Sequence, residues 1–289
     1  MENISQKNRT IMAALLVIAG LFMVVAAPFL VQSTLDPMLK GLNEKAAANP
    51  RYASGPTLMA IFYPLWRALI FVAGVTCVTI AYGLWKGKGW AWPVALACLA
   101  VPAAGGMYMT LPFVSFVEDA FPPSMIITLV GLAGYWGVLL LRSDRARRGI
   151  DLLVFTLLGV VATLSFIVAF GAMRQLMARP GKPMFVNAKI AGLTIGGPVS
   201  GIGAALVFAA VPLLSARKAA GWWLGLIGSA SVAAANLPTF AISRSVYYLM
   251  GTVGGALLAV TLLVPGVRGY LVGMSTVAAG KAALRQELS

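Results

Sequence analysis

The chain has 289 residues, 60% of them hydrophobic and 10% charged, with a mean hydropathy of +0.89 and a formal net charge of +14. A soluble domain is ~45–50% apolar and ~25% charged, so this composition excludes an ordinary soluble fold and places the excess apolar surface against lipid. With no histidine, and only Cys77 and Cys98 as thiols, the chain lacks the usual ligand sets of zinc, haem and iron–sulfur centres, and no cofactor or metal is expected.

A spanning helix needs ~20 predominantly apolar residues. Eight runs meet that length, at 11–31, 59–84, 90–112, 124–141, 150–172, 190–214, 222–242 and 246–265. The predicted fold class is therefore an all-α integral membrane bundle of about eight transmembrane helices, one membrane domain over 1–289. The first run follows Lys7 and Arg9 and is longer than the ~7–15 residues of a signal-peptide core, so it reads as a retained span. After it, Ser33-Thr34 can cap a helix, Asp36 and Pro37 suit its first turn, and Leu35, Met38, Leu39 and Leu42 share one face. That pattern predicts a short amphipathic helix on the outer surface, ending before Asn49-Pro50.

The second span carries Arg67 in the run Tyr63-Pro64-Leu65-Trp66-Arg67. A charge at mid-bilayer costs at least ~2.5–3.5 kcal/mol on insertion scales. Two readings follow: Arg67 snorkels outward past Pro64, or it contacts an anion or pairs with Glu118 or Asp119. The turn Lys86-Gly87-Lys88-Gly89 leads into the third span, where Pro102-Ala103-Ala104-Gly105-Gly106 interrupts the apolar pattern. The fourth span closes on the densest charge run, 142–148. The sixth contains Gly196-Gly197-Pro198, with glycines at 192, 196, 197 and 201. Glycines four apart let helices approach closely, and an interrupted helix also frees carbonyls of the kind that line transporter sites. Arg67, Gly105, Gly106, Gly196, Gly197 and Pro198 are thus the candidate solute or packing site. Ser243-Arg244-Ser245 separates the last two spans, and the apolar tail 270–280 is too short to cross and is expected at the interface.

Basic residues set the orientation. Thirteen of the 22 Lys+Arg fall on the side of both termini, eight fall on the other, and Arg67 lies within a span. The termini are therefore expected in the cytoplasm, with the protein in the cell (inner) membrane. Scattered singly or in small groups, these charges suit headgroups and topology, not nucleic acid. Each half of the chain has a basic entry, a span, a polar outer loop, a second span, and a basic turn into Gly-Trp (Gly89-Trp90 or Gly221-Trp222). Two further spans complete it. This predicts a parallel four-plus-four repeat of units 1–145 and 146–289.

No dinucleotide, phosphate-loop or nucleophile-elbow motif occurs, and a Ser–His–Asp triad is impossible without histidine. The function expected from these residues is a non-catalytic subunit or scaffold packing against partner helices and lipid, in a complex with other membrane subunits or a homo-oligomer. A permease for a neutral or anionic small solute is the alternative, and a membrane enzyme the third.

Overall fold

In a computed structural model, the described residues are 4–142, 148–179 and 187–272. Most of the 142–148 charge run, Lys182, and the tail beyond Val272 lie outside them. Among the described residues the chain forms ten α-helices and one short 3-10 turn. Eight of the helices are long and apolar enough to cross a membrane. The protein is an all-α, multi-span membrane bundle.

The spans follow the sequence reading with one correction at the N-terminus. A single run over 11–31 is not formed; α1 (Gln6–Val25) ends early and α2 (Ala27–Ala48) starts at once. The cause is Pro28, which lacks an N–H and occupies the first turn of α2, where that donor is not needed. The predicted amphipathic face is present within α2: Leu35, Met38 and Leu42 are buried. This helix lies across the ends of its neighbours. Thr34 Oγ1 accepts from Ser124 N at 3.0 Å, and Lys45 Nζ donates to Ser115 O at 3.0 Å.

The remaining helices are α3 (Gly55–Trp85), α4 (Ala91–Phe116), α5 (Ser124–Arg142), α6 (Arg148–Met177), α7 (Ala188–Ser215), α8 (Ala219–Ser243), α9 (Val246–Leu263) and α10 (Pro265–Val272). Two four-helix units result. In the first, α1 packs on α3, α3 on α4, α4 on α5, and α5 back on α1; α6, α7, α8 and α9 pair in the same order. Small residues permit the closest approaches. A Cβ on Gly20 would sit 2.8 Å from Gly74 O, and one on Gly74 would sit 2.9 Å from Gly20 O.

The turns between the second and third helices of each unit carry one bonding pattern twice. Gly87 N donates to Leu84 O, Lys88 N to Gly83 O and Ala91 N to Lys88 O. Arg217 N donates to Leu214 O, Lys218 N to Leu213 O and Gly221 N to Lys218 O. Gly87 and Arg217 both hold positive φ, at 75° and 59°. The shift that carries Gly87 to Arg217 pairs Trp92, rather than Trp90, with Trp222. Trp92 Nε1 donates to Val138 O of α5, and Trp222 Nε1 donates to Leu262 O of α9. Likewise Gly131 of α5 packs onto Ala103, and Gly255 of α9 onto Ala233, with a Cβ at Gly255 only 3.0 Å from Ala233 N.

The units meet through α3, α4 and α5 on one side and α6 and α7 on the other. Phe155 lies beside Trp92, with ring centroids 6.3 Å apart, and Tyr135 Oη donates to Phe155 O at 3.1 Å. Nearer the far end, Tyr108 packs edge-on against Phe166 and Phe170 at 5.1 and 5.2 Å.

Candidate functional site

The candidate residues read from the sequence do not converge. Arg67 is exposed on α3, one position beyond buried Trp66. Gly105 is filled by the Trp66 indole, which lies where a Cβ would project, and Gly106 faces Thr128 and the Ser124 carbonyl. Gly196 faces Thr239 Oγ1, whereas a Cβ on Gly197 would lie 2.6 Å from Ala172 Cβ. Pro198 is exposed, and α7 runs through it from Ala188 to Ser215 as one helix. The expected interruption at 196–198 is not formed: Pro198 removes one backbone donor without ending α7, and its ring is exposed on the outside of the bundle. The similar run at 102–106 also lies inside one continuous helix.

A denser arrangement of polar groups occurs at the end of the bundle where α1 begins. It draws on both units. Asp151, in the first turn of α6, is 4% exposed, and its carboxylate accepts a 2.7 Å hydrogen bond from Tyr270 Oη of α10. Arg217, at the close of α7, approaches Asp151 Oδ1 at 3.8 Å, donates to Tyr270 O at 2.9 Å, and stacks over the Tyr270 ring at 3.8 Å. Arg142 ends α5 with its guanidinium 3.7 Å above the Trp92 ring, within electrostatic reach of Arg217, Asp151 and Tyr270. Arg268 stacks over Trp222 at 4.4 Å.

Each local choice has a physical cause. The turn after α7 bends back sharply, so Arg217 takes a left-handed backbone where glycine is usual, and its side chain is aimed at Asp151. Pro265 stops α9 and starts α10, which brings Tyr270 back over the start of α6. Burial pushes the Tyr270 hydroxyl above the usual tyrosine range; its bond to Asp151 adds to that rise and Arg217 opposes it. Among the described residues Asp151 faces Arg217, with Arg142 within electrostatic reach, and Arg142, Arg217 and Arg268 each lie on an aromatic ring. The cluster pins the two units and α10 together. Among the described residues its guanidinium groups outnumber its carboxylate, which suits anionic headgroups at a membrane surface.

From the sequence alone Asp151 and Arg217 are surface charges with no assigned partner. No local signal marks the cluster, since an acid in the first turn of a helix is ordinary. A second group of interest lies between α3, α4 and α6. Trp66 and Tyr108 are 9% and 1% exposed, with centroids 6.1 Å apart, and neither Trp66 Nε1 nor Tyr108 Oη has a hydrogen-bond partner among the described residues.

No family model, curated protein or solved structure matches this chain.

Proposed function

We infer that this multi-pass membrane protein is a non-catalytic scaffold subunit that packs against partner helices and lipid, in the cell (inner) membrane with both termini in the cytoplasm. The observation that carries this reading is the filling of Gly105 by the Trp66 indole and of Gly197 by Ala172. These are the positions a solute path would need open; here they serve close helix approach, which is how helices gain affinity in lipid. The polar cluster around Asp151 ties helix ends together, a structural use of charge at a membrane surface. The basic bias toward the side of the termini supports the orientation. Purification from the native membrane in mild detergent tests the reading: a stable complex is expected, and a homogeneous monomer overturns it.

One observation favours the permease reading, the two buried donors without acceptors at Trp66 and Tyr108. A solute carrying two acceptor atoms would satisfy them. Tyr108→Phe separates the readings. Under the scaffold reading it leaves stability unchanged or improved, because an unpaired buried hydroxyl is removed. Under the permease reading it abolishes uptake of the solute while the protein stays folded.

A further inference from the structure

In the last turn of α6, roughly 35 Å along the helix from Asp151, a second group of cations joins the two units. Local chemistry sets it up. Asn49 Oδ1 accepts from Arg51 N at 3.0 Å, and Pro50 opens the 3-10 turn Pro50–Tyr52. Tyr52 stands edge-on to Phe116 of α4, with ring centroids 5.9 Å apart, and the Arg174 guanidinium lies over Tyr52 at 4.6 Å. Ser54 Oγ donates to Arg174 O at 2.7 Å, which fastens the end of α6 to the residue before α3. Arg51 Nη2 donates to Gln175 Oε1 at 3.3 Å, and Lys45 Nζ lies 5.2 Å from the centre of the Phe116 ring.

The charges here are of one sign. Arg51 is within electrostatic reach of Arg174 and repels it, and Arg174 Nη1 is buried with no hydrogen-bond acceptor. Among the described residues no carboxylate lies within 4.0 Å of Lys45, Arg51 or Arg174. Glu44 and Glu118 line a groove with Lys40 and Lys45, and make no ion pair with either arginine. Residues 180–186, next in the sequence, contain Lys182 as their one charged side chain, so they bring no acid. A buried guanidinium donor left without an anion is costly. At the other end of α6 the chain meets that need with Asp151. Here it offers no acid of its own.

We propose that Arg174 and Arg51 bind a phosphate group, carried by a phospholipid headgroup at that membrane surface or free in solution. A guanidinium presents its donors in a fork that matches two phosphate oxygens. One phosphate between the two arginines accepts from both, cancels their repulsion and ties the 3-10 turn of the first unit to α6 of the second. Phospholipid is the source that the position favours, because a spanning helix ends among headgroups, where tyrosine rings such as Tyr52 also gather. The site stands apart from the scaffold reading. A stable native complex without phosphate dependence defeats only the site, and a monomer that keeps it defeats only the scaffold.

The test uses the full chain purified in a nonionic detergent and stripped of lipid, with thermal unfolding as the readout. Phosphatidylglycerol, phosphate-free dioleoylglycerol and inorganic phosphate are added separately at constant ionic strength. Phosphatidylglycerol at about a hundredfold its Kd is expected to raise the unfolding temperature by about 5 °C. Arg174→Gln should weaken that lipid's binding at least about tenfold. Arg51→Gln should weaken it in the same direction and, at an exposed position, serves if the first variant does not fold. Lys189→Gln removes an exposed charge from the start of α7 and should leave the rise intact. A rise with phosphatidylglycerol alone identifies the lipid headgroup, whereas an equal rise with inorganic phosphate identifies free phosphate as sufficient. No rise with either, or an equal rise with dioleoylglycerol, overturns the proposal. So does an equal drop in Arg174→Gln with and without phosphate, which would make the arginine purely structural.

Discussion

Tyr270 and Asp151, 119 positions apart, are joined by a 2.7 Å hydrogen bond that fastens the last described helix to the first turn of the fifth span. Tyr270→Phe keeps the ring under Arg217 and removes only the donor. It is expected to destabilise the protein by on the order of 1 kcal/mol, since a bond to a carboxylate is among the stronger ones and this site is partly solvated. Faster amide exchange confined to α10 is the accompanying sign. Uniform exchange throughout the bundle would contradict the local role.

Burial of the Tyr270 hydroxyl, together with the same bond, sets an alkaline limit. The folded-state value for Tyr270 lies above the ordinary tyrosine range, so the native state holds this proton more tightly than the unfolded chain. Stability from that difference is complete below about pH 10, the ordinary tyrosine value, and is lost as pH rises through the higher folded value. Thermal unfolding in detergent between pH 8 and 11 should show the decline, and Tyr270→Phe should flatten it. An equal decline in both proteins would place the titration elsewhere.

Much of the fold was legible because lipid imposes a length on each apolar run. The second to eighth spans agree with their helices to within a few residues, and the buried face Leu35, Met38 and Leu42 follows from helical spacing. The first span was misjudged where Pro28 divides an apolar run without any polar residue to mark the place. The cluster around Asp151 was not legible, since its members come from α5, α6, α7 and α10 and nothing in local composition brings them together. Glycines at 105 and 197 announced close approach, but which side chain fills each one is a property of the partner helix. Proline was read too strongly at 198, where an exposed ring leaves α7 continuous.

Gly87 and Arg217 stand at matching places in the two turns with different residues in one left-handed conformation. Glycine adopts it freely, whereas a side chain costs ~1–2 kcal/mol there. Gly87→Ala should therefore destabilise by at least about 1 kcal/mol, because a Cβ would also lie 2.5 Å from Arg9 Nη1. At Arg217, alanine keeps the strain and loses the approach to Asp151, while glycine loses the approach and relieves the strain. Arg217→Gly should thus be the more stable of the two by about 1 kcal/mol in thermal unfolding. The reverse order would show that the turn is not under strain.

Gly197 and Pro198 distinguish packing from passage. A Cβ at Gly197 would press on Ala172, and helix α6 has to shift to admit it. Gly197→Leu should lower the unfolding temperature, by an amount matching the ~1–3 kcal/mol typical of overpacking. Pro198→Ala restores one backbone donor on an exposed face and should be neutral or stabilising. A Pro198→Ala protein that unfolds earlier than the parent would show that the ring holds a shape α7 needs.

Trp92 and Trp222 make the same bond at different lengths, 3.5 Å to Val138 O and 2.8 Å to Leu262 O. A hydrogen bond weakens steeply beyond ~3.2 Å, so the second indole contributes more through its N–H. Trp92 is held chiefly by the Arg142 guanidinium at 3.7 Å and by the edge of Phe155. Replacing each indole by a phenyl ring removes a similar area and the N–H at both sites, so the difference between them separates the two bonds. Trp222→Phe should cost about 1 kcal/mol more than Trp92→Phe, since it also leaves the buried Leu262 carbonyl without this donor. Removing the stacked cation reverses the ranking: Arg142→Gln should destabilise more than Arg268→Gln, whose guanidinium lies farther out at 4.4 Å. Four unfolding temperatures in one detergent decide it. Equal losses at both tryptophans would mean that burial of the rings, and not their polar edges, fixes the third and fourth helices of each unit.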